Sequence, residues 1–231
     1  MKEIFESSAF FPVLSGILFY FIGDVLRKKL KLSIINPLLV SVTLTILMLI
    51  CFDIDYNTYA DGAKYLSYLL TPATVCLAIP LYRQLHILRQ NTAAILAGII
   101  SGAVSSLACI FALSLAFGLS PVEYVSLLPK SITTAIGIGI SEELGGNVSV
   151  TAAAIIVTGI FGNVSAELVL RLFRIKDPVA KGVAIGTASH AIGTTKALEL
   201  GETEGAVSSL SIVVAGIVTT VFASVFAGFI G

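Results

Sequence analysis

Two short stretches hold most of the polar chemistry in this 231-residue chain. The first, LLPKSITTAIGIGISEELGG at residues 127–146, gathers Lys130, Ser131, Thr133 and Thr134 behind Pro129. The second, GTASHAIGTTKA at residues 186–197, holds Thr187, Ser189, His190, Gly193, Thr194, Thr195 and Lys196. An ammonium among hydroxyls suits recognition of a small anion. A helix that starts there adds free N–H groups and about half a positive charge, which bind carboxylates. His190, with an ordinary pKa near about 6.5, is a candidate for proton coupling, set against a structural histidine that pins two helices. Lys130 lies in its break and divides evenly between a site and an ammonium that snorkels to the interface. Lys196 leans to snorkelling or to a pair with Glu199, three residues on.

Enzyme chemistry is not expected. HExxH, GxSxG and GxxxxGK[ST] patterns are missing. Adjacent Ser189 and His190 do not make a dyad, because neighbouring helical residues diverge. The cysteines Cys51, Cys76 and Cys109 lack metal-ligand or CxxC spacing and read as small core residues. The sequence therefore calls for no metal and no cofactor.

The setting of these stretches is apolar. Hydrophobic residues make up 56% of the chain and charged residues 12%, with a mean hydropathy of +0.99. Soluble domains carry about 25% charge, so the chain reads as an integral membrane protein of one domain, residues 1–231. A formal net charge of zero leaves no basic footprint for nucleic acid. The first apolar helix reads as retained rather than cleaved, since its leading charges are mixed (Lys2, Glu3, Glu6).

Apolar runs at residues 10–26, 37–52, 91–117, 148–172 and 206–230 predict spanning helices, each near the roughly 20 residues that cross a bilayer. Asn36-Pro37 suits a helix start. An acidic, tyrosine-rich loop is expected over residues 53–61. Runs at residues 65–88, 122–146 and 178–201 are interrupted, with Pro72, Pro80, Pro129, Gly137 and Gly139 as expected breaks or hinges. Three basic clusters orient the chain, because cytoplasmic loops retain lysine and arginine: Arg27, Lys28, Lys29 and Lys31; Arg83 and Arg89; Arg171, Arg174, Lys176 and Lys181. Placing all three inside forces residues 122–146 to begin and end on the same outer side, as a re-entrant hairpin. Charge does not orient the last helix.

A faint repeat extends this reading. IIVTGI at residues 155–160 matches IVVAGI at residues 212–217, an offset of 57, and each follows an interrupted, hydroxyl-rich segment. The expected fold is thus an all-α polytopic membrane bundle with interrupted, re-entrant helices and candidate inverted-topology repeats. Residues 1–120 supply N-terminal spanning helices and residues 121–231 two hairpin-plus-helix units. Broken helices survive at membrane depth only where protein or a wet cavity satisfies their backbone. Two breaks that enter from opposite sides and meet near the midplane would present their positive ends to a carboxylate.

NPLLV (residues 36–40), PATVCLAIPLY (72–82), LLPKSITTAIGIGISEELGG (127–146) and AKGVAIGTASHAIGTTKALELGETEGAVSSL (180–210) resemble the LrgB/CidB family of bacterial membrane proteins over nearly the whole chain. The SHAIGTTKALE form is nearer the CidB side. The resemblance implies residence in the bacterial cytoplasmic membrane. It implies modulation of murein hydrolases, autolysis and programmed cell death, with a small holin-like partner of the LrgA/CidA type. It also implies carriage of small monocarboxylates, since pyruvate-uptake components and a plastid glycolate/glycerate translocator are similar. Two functions follow as expectations: a secondary transporter of pyruvate-, lactate- or glycolate-class acids, by rocking or elevator movement, and a regulator that does not transport. Expected partners are a small carboxylate, the holin-like protein and the lipid bilayer, with self-association left open.

Overall fold

The computed structural model describes residues 10–30 and 36–230, apart from the side chains of residues 70 and 74. Lys31 and the early charges Lys2, Glu3 and Glu6 lie outside the described residues. All regular structure among the described residues is helical. The chain divides into two compact units, Met1–Cys76 and Leu77–Gly231.

In the first unit α1 (Phe11–Leu30) ends on Arg27, Lys28 and Lys29 and packs against α2 (Pro37–Cys51). The Asn36 side chain accepts the N–H groups of Leu38 and Leu39, and Pro37 begins the helix where no N–H is needed. At 15 residues α2 is about 22 Å long, short of the roughly 30 Å hydrocarbon core. The expected acidic loop is mostly helix instead. Asp55 caps the N–H groups of Asn57 and Thr58 and starts α3 (Tyr56–Ser67), so Tyr56, Tyr59 and Asp61 are helical. Tyr59 donates to the Pro12 carbonyl, 3.3 Å away, and ties α3 to α1. A short α4 (Leu70–Cys76) completes the unit.

The second unit opens with α5 (Ala78–Arg83) and α6 (Leu85–Gln90). The run at residues 65–88 is therefore a chain of short helices, and its breaks do not fall on the prolines. Pro72 and Pro80 are each the third residue of a helix, where the backbone N–H has no intrahelical acceptor to lose. Three long apolar helices follow: α7 (Thr92–Phe117, 26 residues), α10 (Val148–Leu172, 25 residues) and α12 (Glu202–Ala227, 26 residues). Between them stand two broken elements. One is α8 (Pro121–Leu127) plus α9 (Thr134–Glu143). The other, α11 (Pro178–Leu200), is interrupted at His190, whose φ of 44° and ψ of −141° are not helical. Gly137 and Gly139 lie inside α9 rather than at its break, which spans residues 128–133 around Pro129.

Both broken elements fold back on themselves. In the first hairpin Ser126 Oγ on α8 accepts the Asn147 N–H at 2.7 Å, so the exit from α9 returns beside α8. Thr151 on α10 closes the ring: its fully buried hydroxyl lies 2.6 Å from Ser141 Oγ and 2.8 Å from the Ser126 carbonyl. Thr151→Val is expected to leave both groups short of a partner, lowering stability by about 1–3 kcal/mol, read as a lower melting midpoint in detergent. In the second hairpin Ile185 on the first arm packs with Ala197 and Leu200 on the second. Lys181 pairs with Glu204 at 3.5 Å, so the entry and exit of the hairpin share one end of the bundle.

The two hairpins open toward opposite ends. Tyr124, near the mouth of the first, donates to the Phe226 carbonyl at the close of α12, at 2.8 Å. The mouth of the second lies at the start of α12 and near the close of α10, where Leu170 packs with Ile185 and Leu200. Hence α10 and α12 are antiparallel, each led by a hairpin from its own end. Arg171, Arg174, Lys176 and Lys181 all mark the mouth of the second hairpin, and Arg83 on α5 reaches Glu202 there at 3.9 Å. By the bias of lysine and arginine toward cytoplasmic loops, that end is the one expected inside. The last helix, unoriented by charge, begins there.

The cysteines do not form a core. Cys51, Cys76 and Cys109 are all exposed.

Candidate functional site

The small residues of α7 make room for the site. A Cβ at Gly98 would lie 2.9 Å from Val183 Cγ1, and one at Gly102 would lie 2.8 Å from Thr187 Cγ2. Glycine at these positions, one turn apart, brings the first arm of α11 close to α7. One turn further on stands Ser106, which meets the break of the first hairpin: its Oγ lies 3.1 Å from Ser131 Oγ. Lys130 Nζ donates to Ser131 Oγ at 3.0 Å and to Ser106 Oγ at 3.4 Å.

These groups face a cavity of about 370 Å³, to which Lys130 and Ser131 bring one hairpin and Thr187 and Ala188 the other. Thr187 is 6% exposed, and its hydroxyl has no hydrogen-bond partner among the described residues. A buried hydroxyl without a partner costs about 1–3 kcal/mol, which a ligand or water in the cavity would relieve. An ammonium, two hydroxyls in contact with it and a third hydroxyl unengaged across an apolar space can hold one carboxylate.

The other expected residues stand elsewhere. Thr133 is the N-cap of α9 but makes no side-chain cap bond, and Thr134 begins the helix; both are half-buried. Ser189 faces a separate cavity of about 110 Å³ with Gly162, Ser165 and Ala166 of α10. His190 is 2% exposed and donates from Nε2 to the Ile155 carbonyl at 3.0 Å. Thr194 lies between the His190 carbonyl (2.9 Å) and Ser208 Oγ (2.7 Å). Thr195 is exposed and shares Asn163 Nδ2 with the Ile192 carbonyl. Gly193 packs against Ser189 and Ile185 of its own hairpin. Lys196 pairs with Glu199 at 3.1 Å and also with Glu167.

The geometry of the positive ends also differs from expectation. The break before α9 borders the cavity. The second hairpin contributes the carboxyl end of its first arm, at Thr187 and Ala188. Its second arm begins against Ile155 and Asn163 of α10, because the chain reverses at His190. One helix N-terminus, not two, adjoins the cavity.

Ser106 was missed in the sequence because it lies in an unbroken apolar helix. Its signal was the row of small residues at Gly98, Gly102 and Ser106. A fuller repeat was also legible. AIG at residues 135–137 and ELG at 143–145 recur at 191–193 and 199–201, an offset of 56. The structure makes these positions equivalent. A Cβ at Gly137 would lie 3.4 Å from the Pro129 carbonyl, and one at Gly193 would lie 3.3 Å from the Ile185 carbonyl, again 56 apart. Gly159 on α10 receives Ile192 of the second hairpin, and Gly216 on α12 receives Ile136 of the first. This exchange is what a two-fold relation between the units requires. It pairs Ser131 with Thr187, both on the one cavity.

Three helices long and apolar enough to cross a bilayer, in an all-helical bundle, are those of a multi-pass membrane protein. The model of the LrgB-like family matches residues 16–229, and the chain belongs to that family. It is 37% identical over 223 residues to the antiholin-like protein LrgB of Bacillus cereus strains B4264 and AH187 and of Bacillus anthracis strain CDC 684 / NRRL 3495, covering 96% of this chain and 97% of each relative. These relatives carry the LrgB name. No solved structure matches the chain.

Proposed function

We propose that this protein is a secondary carrier of small monocarboxylate anions of the pyruvate, lactate and glycolate class, and that Lys130, Ser131 and Thr187 bind the carboxylate. The observation that carries the reading is the unpartnered, buried Thr187 hydroxyl facing the Lys130–Ser131 pair across a cavity between two hairpins. A structure with one conformer of each inverted unit suits alternating access, in which the two units exchange roles. The hairpins are seated unequally. A Cβ at Gly159 would meet His190 and Ile192 at 2.7–2.9 Å, whereas one at Gly216 would meet only Ile136, at 3.1 Å. The second hairpin is the closed gate and the first the looser one. His190 pins the closed gate to Ile155, which supports a structural task over proton coupling.

The name of the relatives favours a second reading: a regulator of murein hydrolases that acts with a small holin-like partner and transports nothing. Proteoliposomes and labelled pyruvate, lactate and glycolate separate the two. The carrier reading expects saturable uptake competed by the unlabelled acid. No uptake of any of the three leaves the regulator.

Cys109 gives an independent measure of binding, since it lines the same cavity. With Cys51 and Cys76 replaced by alanine, pyruvate is expected to slow alkylation of Cys109 severalfold. Alkylation at one rate with and without all three acids counts against the site.

A further inference from the structure

The largest cavity among those described lies away from the hairpin tips, at the cytoplasmic mouth of the second hairpin. It holds about 470 Å³ and is walled by Leu170, Ile175 and Leu200. Arg171, Arg174, Lys176 and Lys181 line it, against the single carboxylate Glu167, a balance of three positive charges (4 − 1). Two of the cations are already engaged: Arg171 with Glu167 at 3.4 Å and Lys181 with Glu204 at 3.5 Å. Glu167 also receives Lys196. Arg174 and Lys176 have no carboxylate partner among the described residues.

Arg174 occupies an unusual backbone position. The Ile175 N–H donates to the Leu170 carbonyl at 2.9 Å, closing α10 with a turn that places Arg174 at φ 54°. Glycine is the usual residue there, because a side chain in the left-handed region is strained. An arginine held in that conformation just past the end of α10 lines a cationic and apolar pocket at the mouth of the second hairpin. Beside it α10 exposes Leu168, Val169 and Leu172 along its lipid-facing side, at 70%, 42% and 72%.

We infer that this pocket binds a phosphate group, and that its source is an anionic phospholipid of the cytoplasmic leaflet. Arg174 and Lys176 hold the phosphate, and the acyl chains lie along Leu168 and Leu172. The combination decides the source. A guanidinium forks onto phosphate oxygens, basic pockets between helices at the cytoplasmic face suit lipid head groups, and a free anion would have no use for the apolar walls and the adjoining lipid-facing stripe. The site is separate from the hairpin cavity and does not depend on whether the protein transports.

The test uses the full chain purified in a neutral detergent. Its melting midpoint is followed with added phosphatidylglycerol, phosphatidylcholine or inorganic phosphate. Phosphatidylglycerol is expected to raise the midpoint by several degrees, with little response to the other two. Arg174→Gly with Lys176→Ala is expected to abolish that rise. Arg174→Gly alone fits the left-handed backbone and is expected to melt no lower than the parent without lipid, while its lipid response is weakened. Lys130→Met is expected to keep the full response. An equal rise with inorganic phosphate, or with phosphatidylcholine, overturns the lipid as source. A rise that survives the double variant overturns the pocket.

Discussion

Lys130→Met is expected to move function and stability in opposite directions. Lys130 is a cation in a hairpin break, and its neighbours in the structure are Ser106 and Ser131 rather than a carboxylate. Insertion scales place the cost of a lysine deep in the membrane at about 2.5–3.5 kcal/mol. A methionine of similar length removes that cost, so the variant should melt higher than the parent. Its uptake should fall, because a hydrogen bond to a charged group contributes about 1.5–3 kcal/mol, or roughly 10- to 150-fold in kcat/KM. Lys130→Ala with Ser131→Ala should abolish uptake. Uptake that survives the double variant removes the proposed site even if the protein is a carrier. A variant that melts lower while losing uptake makes Lys130 a structural residue.

Charge and polarity made the two hairpins legible. The basic clusters forced residues 122–146 to start and finish on one side, and the Ser126–Asn147 contact shows that return. The hydroxyl-rich stretch around His190 marked the second reversal. Sequence reasoning went wrong where a side chain's task is set by what packs on it. Pro72 and Pro80 look like breaks but start helices. Gly137 looks like a hinge, yet it is the place where α9 meets Ile155 and its own hairpin partner. Thr194 and Thr195 share a composition with Thr187, but only Thr187 points at the cavity; the others are taken by Ser208 and by Asn163. Composition records which groups are polar and says nothing of which have partners. The repeat was half-seen for a related reason. The apolar helices match at an offset of 57 and the hairpins at 56, so no single offset aligns both.

Gly186→Ala is expected to be the most damaging single methyl group in the second unit. A Cβ there would lie 2.5 Å from the Ser208 carbonyl oxygen, 2.7 Å from Ser211 Cβ and 2.8 Å from Ser208 Cα. Two of those three atoms are backbone, so no rotamer change makes room. Overpacking of this kind costs about 1–3 kcal/mol, and it strikes where α11 is bound along its length to α12. Gly182 meets Glu204 and Val207, Gly205 meets Leu198, and Lys181 pairs with Glu204 on the same face. Gly139→Ala is the matched control: a Cβ at Gly139 would meet nothing within 4 Å, and alanine inside a helix gains about 0.5–1 kcal/mol over glycine. Melting midpoints should therefore part in opposite directions, with Gly186→Ala low or missing from the membrane fraction and Gly139→Ala at or above the parent. The contrast bears on movement as well as on stability. A hairpin so closely joined to α12 can shift only together with it, whereas the first hairpin meets α12 at separate points: the Tyr124 hydroxyl on the Phe226 carbonyl, Ile132 and Ile140 around Ala223, and Ile136 over Gly216. If the two alanine variants melt alike, α11 and α12 are not one packed body, and the assignment of the first hairpin as the looser gate fails with it.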